Sequence, residues 1–79
     1  MNEKELEQKV CRILVDACGS EEVLQQGIDL LDSGLLDSLG LISLLDGLED
    51  IGIVIQPTQV DRNEFRTLEG IFNLCKKQL

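Results

Sequence analysis

The chain holds no histidine, so its reactive side chains are serines, three cysteines and carboxylates. Without an imidazole, neither a serine nor a cysteine has its usual activating base. No carboxylate pair has a spacing that suggests acid/base work. What remains is a serine that can be modified: Ser38, inside Gly34-Leu35-Leu36-Asp37-Ser38-Leu39-Gly40. Either Asp37 or Ser38 can cap the helix that begins here by accepting a hydrogen bond from a free backbone N–H of its first turn. A helix N-terminus carries partial positive charge and unpaired donors, so a phosphate attached to Ser38 would be favoured there. An Asp-Ser-Leu taken alone is ordinarily only a cap, and the rest of the chain must decide.

Three helical stretches surround this turn. Asn2 with Glu5 has the form of a capping box, and Leu6, Val10, Ile13, Leu14 and Ala17 recur at helical spacing, with Gly19 a natural terminator. Helix one is therefore expected over Glu3 to Cys18. From Gly19 to Asp37 the periodicity weakens. A turn can start at Ser20-Glu21-Glu22-Val23, and Leu24, Ile28, Leu30, Leu31, Leu35 and Leu36 predict a long loop pinned to the core. Asp29, Asp32 and Asp37 do not match an EF-hand and read as solvated loop carboxylates.

Helix two is expected from Ser38 to Ile51, with Leu41, Leu44, Leu45, Leu48 and Ile51 in one core-facing sector. Leu39 and Ile42 fall outside it, near Asp46 and Asp50. Apolar residues interleaved with acids beside the serine suit a transient docking surface, a small apolar contact with charge steering. Gly47 is expected on the outward side, at a cost of about 0.5–1 kcal/mol relative to alanine. Ile53-Val54-Ile55 has strand propensity but no partner run, so an extended connection ending at Pro57 is expected. Val60 to Phe65 can form a short helical turn with Val60 and Phe65 as anchors. Thr67 can cap a last helix with the stripe Leu68, Ile71, Phe72, Cys75 and Leu79, and Lys76 and Lys77 suit the negative end of its dipole. The fold class is all-α: a small bundle of three main helices plus one short one, with a long loop between helix one and helix two.

At 79 residues the chain has room for one core, so a single domain over residues 1–79 is expected. Fifteen acidic against seven basic residues give a net charge of -8, which argues against nucleic acid or anionic lipid as partners and favours proteins with a basic patch. Cys11, Cys18 and Cys75 form no zinc-site pattern and read as small, mostly buried thiols of a reducing compartment. No run has the form of a signal peptide or a membrane span, so a cytoplasmic monomer is the default expectation.

Gly34-Leu35-Leu36-Asp37-Ser38-Leu39, placed after a helix and a long loop and opening an amphipathic helix, resembles the acyl and peptidyl carrier proteins. The resemblance spans essentially the whole chain, including its length, helix order and acidity. Two details are similar to the D-alanyl carrier subfamily of lipoteichoic acid D-alanylation. One is Gly40 directly after Asp-Ser-Leu, where fatty-acid carriers usually have an acid. The other is Val60-Asp61-Arg62-Asn63-Glu64-Phe65-Arg66-Thr67, which looks like that subfamily's Phe-Asp-Arg-x-x-(aromatic)-x-Thr segment. Val60 and Phe65 depart from the usual Phe and Trp of that segment, and Asp46 and Gly47 from the larger or apolar residues common in helix two.

The resemblance implies a non-catalytic carrier with no metal site of its own. Ser38 would bear 4′-phosphopantetheine, donated by coenzyme A, whose thiol holds the cargo as a thioester. Asp37 would engage the phosphopantetheinyl transferase and its magnesium ion. Leu39, Ile42, Asp46 and Asp50 would meet an ATP-dependent D-alanine ligase, or another amino-acid or acyl ligase, and a downstream membrane acyltransferase. Two other readings compete: a stand-alone acyl or peptidyl carrier of a fatty-acid, polyketide or nonribosomal peptide pathway, and an unmodified acidic helical adaptor.

Overall fold

A computed structural model describes residues 2–56 and 58–78. Three α-helices occur in chain order: α1, Glu3–Cys18; α2, Ser38–Asp50; and α3, Leu68–Lys76. Two 3₁₀ turns, Glu21–Leu24 and Arg62–Phe65, punctuate the connections. The bundle has no strand among the described residues, in keeping with the expected all-α class. It has one short turn more than the single short helix expected, because Ser20 caps a 3₁₀ turn through its side chain and the backbone N–H of Glu22. Pro57 and Leu79, read above as the end of the extended connection and the last member of the α3 stripe, lie outside the described residues.

Every helix starts on the cap its sequence offers. The Asn2 side chain accepts from Glu5 N–H at 2.8 Å, the Asp37 carboxylate from Gly40 N–H at 2.8 Å, and the Thr67 hydroxyl from Gly70 N–H at 3.0 Å. Each satisfies a donor that the helix itself leaves unpaired. Helix α1 ends at Gly19, whose φ of 72° closes the last turn with a bond from its N–H to the Val15 carbonyl. That left-handed conformation carries little penalty only where no Cβ is present.

The core is a continuous aliphatic cluster. Leu6, Val10 and Leu14 enter it from α1, Leu44 and Leu48 from α2, and Ile71, Leu74 and Cys75 from α3. Val23, Leu30 and Leu36 pin the long loop to the cluster, while Ile53 and Phe65 close it from the second connection. No polar or charged residue is buried among the described residues, so hydrophobic burial meets no desolvation cost from a buried polar group here. Leu24 is not one of the pins: it stays 39% exposed at the end of its turn. Cys75 is buried, whereas Cys11 and Cys18 are only half-buried, less covered than expected.

Three further expectations change. Gly47 does not face outward. A Cβ built on it would lie 2.6 Å from Ile13 Cγ2, so the glycine faces α1 at close range. The loop carboxylates are not merely solvated. Asp29 accepts from the N–H groups of Leu31 and Asp32 and pairs with Arg66, Asp32 pairs with the same guanidinium, and Asp37 is the α2 cap. The extended segment at Ile53–Ile55 finds a partner in a side chain. Val54 N–H donates to Gln78 Oε1 at 3.0 Å and Gln78 Nε2 donates back to the Val54 carbonyl, so one amide supplies what a neighbouring strand would. Lys76 joins the end of α3 to α1 by an ion pair with Glu7 at 3.0 Å.

Candidate modification site at the head of the second helix

Ser38 is the first residue of α2 and is exposed. The loop delivers it there through a series of backbone bonds: Leu30 N–H to the Arg66 carbonyl at 2.6 Å, then Leu36 N–H to the Leu30 carbonyl at 3.0 Å. Leu36 is buried directly before the cap, so the chain is anchored two residues ahead of the serine. Asp37, not Ser38, is the N-cap. Its Oδ1 takes the Gly40 N–H, and Ser38 keeps its hydroxyl out of the capping role.

Gly40 is buried on the opposite side of this first turn. A Cβ there would meet Asp37 Oδ1 at 3.3 Å, the Ala17 carbonyl at 3.5 Å and Leu36 Cδ1 at 3.5 Å. The glycine thus lets the end of α1 and the capping carboxylate share one small space. A Cβ here would press on the capping carboxylate, which would have to give by a few tenths of an ångström.

The four residues expected to form a docking surface are all exposed. Leu39 is 76% and Ile42 57% exposed, and Asp46 and Asp50 lie one and two turns beyond on the same helix. Leu39, Ile42 and Asp46 follow at three- and four-residue steps, so they share a face. Asp50 also lines an open groove between α1 and α2, together with Arg12, Ile13, Asp16, Ser43 and Gly47.

The stretch of chain that carries the serine has charges of one sign. No lysine or arginine occurs between Arg12 and Arg62, so the loop, its serine and all of α2 belong to a stretch of chain whose only charges are acidic. Such a field repels nucleic acid and attracts a basic protein surface. Cys18, at the end of α1, is the nearby thiol. Burial, and then the charge of Asp37, raise its pKa and hold it protonated, so it is a poor nucleophile beside the serine. Cys75 is pushed up to about 11 by burial and is equally inert.

The site therefore presents a hydroxyl beside an exposed apolar face. It has no base to activate that hydroxyl, and no group of three or more potential metal ligands occurs among the described residues. An attached phosphodiester asks for little more: an accessible hydroxyl, at the positive end of a helix, with nothing packed over it. Ser38 meets those terms.

Comparison with known proteins gives a consistent picture, although no family model matches the chain. The D-alanyl carrier protein of Bacillus velezensis is 35% identical over 87% of this chain and 91% of its own length. That of Abiotrophia defectiva is 34% identical over 94% and 96%. That of Listeria welshimeri is 38% identical over 81% and 85%.

Proposed function

This chain belongs to the D-alanyl carrier protein family, as a non-catalytic carrier that works with a separate ligase, and from that premise we propose that Ser38 is the attachment point of its prosthetic group. The group is 4′-phosphopantetheine from coenzyme A, joined through a phosphodiester, and it supplies a thiol on which D-alanine is carried as a thioester. The whole chain, 1–79, acts as one carrier domain. Its loading takes place in the cytoplasm, and the cargo passes to an acyltransferase for D-alanylation of lipoteichoic acid. No helix among the described residues is long and apolar enough to cross a membrane.

The observation that carries the reading is the geometry at the head of α2. An exposed serine opens a 13-residue helix, its hydroxyl is released from capping by Asp37, and exposed Leu39 and Ile42 stand beside it among acids. The chain's own residues then divide the work. Asp37 orients the first turn through Oδ1, and its carboxylate would help engage the transferase and its magnesium ion. Leu39 and Ile42 provide the apolar contact for the transferase, the ligase and the acyltransferase in turn. Asp46 and Asp50 steer their basic surfaces. Serial partners require modest affinity and fast encounter, which a small apolar patch with charge steering supplies better than a large interface.

The test is intact mass after incubation with coenzyme A, magnesium and a promiscuous phosphopantetheinyl transferase. The wild-type protein gains one phosphopantetheinyl unit and Ser38→Ala gains none, with unchanged circular dichroism. Because Asp37 provides the cap, the alanine variant keeps its fold. A folded wild-type protein whose mass does not change would overturn the reading and leave an unmodified adaptor in its place.

A further inference from the structure

We propose that Arg66 is a positioning residue for Ser38, acting from the far side of the loop. The inference rests on the carrier reading above, in which Ser38 is the modified residue. Arg66 lies between the second 3₁₀ turn and α3, remote in sequence from the serine, yet it holds the loop that leads to it by both its backbone and its side chain. Its carbonyl accepts from Leu30 N–H at 2.6 Å, and its Nη1 donates to Asp29 Oδ2 and to Asp32 Oδ1, each at 3.0 Å. Its Nε donates to Asn63 Oδ1 at 2.7 Å, which fixes the plane of the guanidinium. From Leu30 the order passes to Leu36, one residue before the Asp37 cap, through the bond from Leu36 N–H to the Leu30 carbonyl, while Ser33 Oγ donates to that carbonyl at 3.3 Å.

Charge explains why the brace comes from so far away. Between Arg12 and Arg62 the chain has no cation of its own to set against Asp29 and Asp32. Arg66 supplies one: its Nη1 alone meets both carboxylates while its Nε is held by Asn63, an anchorage for the cation that lysine lacks. Exposed ion pairs add little to global stability. Their effect here is local. They decide how often residues 29–36 hold the conformation that presents Ser38, and an equilibrium of that kind lowers apparent affinity in proportion to the competent fraction.

The experiment compares arm transfer to the wild-type protein, Arg66→Ala, Arg66→Lys, Asp32→Asn and Thr67→Ala, following intact mass at several carrier concentrations and well below each melting temperature. Arg66→Ala is expected to raise the KM of the transferase for the carrier at least fivefold with kcat retained. Arg66→Lys and Asp32→Asn should fall between it and wild type. Thr67→Ala removes the α3 cap but leaves the Arg66 guanidinium and its bonds to Asp29 and Asp32 in place, and should leave KM unchanged at a reduced melting temperature. Hydrogen exchange on the unmodified proteins gives a second readout that needs no arm. The Leu30 and Leu36 amides should exchange faster in Arg66→Ala while Val10 and Leu14 do not. Wild-type KM together with wild-type exchange at Leu30 and Leu36 overturns the proposal, as does an equal rise in KM in Thr67→Ala, which would make the effect one of general stability. Should Arg66→Ala fail to fold, Asp32→Asn alone decides by the same two readouts. If the wild-type protein takes no arm, the carrier reading fails and this inference with it, a result distinct from an altered KM.

Discussion

The two sides of α2 obey different rules. On the side toward the core and α1, the large residues Leu44 and Leu48 are completely buried, and the small ones, Gly40 and Gly47, stand where a neighbour would crowd a Cβ, mildly at Gly40 and severely at Gly47. On the other side, Leu39 and Ile42 are large, apolar and left in water among Asp46 and Asp50. Residue size follows packing on the first side and ignores it on the second. A helix needed only for the bundle could have carried polar residues at 39 and 42 at no cost to its core. The contrast marks which side serves folding and which is free to serve a partner.

Truncation on each side should separate the two rules most widely. Leu44→Ala removes a fully buried side chain and leaves a cavity, so it should cost about 2–5 kcal/mol in urea unfolding. Leu39→Ala and Ile42→Ala remove more exposed surface than core and should stay within about 0.5 kcal/mol of wild type. The order reverses in a loading assay with the ligase, where the Leu39 and Ile42 variants lose rate and Leu44→Ala, assayed below its melting temperature, keeps it. A large loss of stability at Leu39 would show that it packs in solution and would end the distinction.

A smaller effect sharpens the same comparison at Gly47. Alanine is the better helix former by about 0.8–1.0 kcal/mol, so an outward-facing glycine would gain from the change. Here the new Cβ would lie 2.6 Å from Ile13 Cγ2, on a β-branched side chain with little rotamer freedom. Overpacking of this kind costs about 1–3 kcal/mol, so Gly47→Ala should be destabilising on balance. Ile13→Val keeps the offending branch and should not relieve it. Ile13→Ala should, and the Ile13→Ala/Gly47→Ala pair should be more stable than the sum of the single changes allows. Measured midpoints that are simply additive would mean the two helices do not meet here.

These positions also show where the sequence was legible. The bounds of α1, its Asn2 cap and its Gly19 terminator could be read because they depend on residues at most four apart. So could the start of α2, the turn anchored by Phe65 and the Thr67 cap, and so could the exposure of Leu39 and Ile42. Gly47 could not be placed, since a helical wheel gives an azimuth and not the identity of the neighbour at that azimuth. The Asp29–Arg66–Asp32 cluster and the Gln78–Val54 pair join residues that no local pattern connects. One signal was available for the first of them. A long stretch with carboxylates and no cation must draw its counter-charge from outside, and Arg66 is one of few cations that could provide it. The exposed serine at the head of α2 was more legible than the contacts behind it, because a helix start is a local feature and the Arg66 cluster is not.

That brace gives the smallest effect on stability, and acid removes it. The Asp32 N–H, followed by Arg66 and the Leu31 N–H, lowers the Asp29 pKa below its ordinary value against the opposing effect of burial. A carboxylate whose pKa is lower folded than unfolded contributes stability above the unfolded value and loses it as pH falls through the folded one. The contribution of Asp29 should therefore be constant from neutral pH down to about pH 5 and should fade below about pH 4, around and under the ordinary carboxylate value. Urea midpoints of wild type and Asp29→Asn, measured from pH 7 to pH 2.5, should be separated by a fixed gap that closes over that acid range. Salt should narrow the gap only in part, because the two backbone donors that hold Asp29 are not screened as a distant charge would be. A gap that survives unchanged to the lowest pH would assign the loss to the shape of the asparagine and not to the charge of the carboxylate. Arg66 would then hold the loop by its carbonyl bond to Leu30 alone.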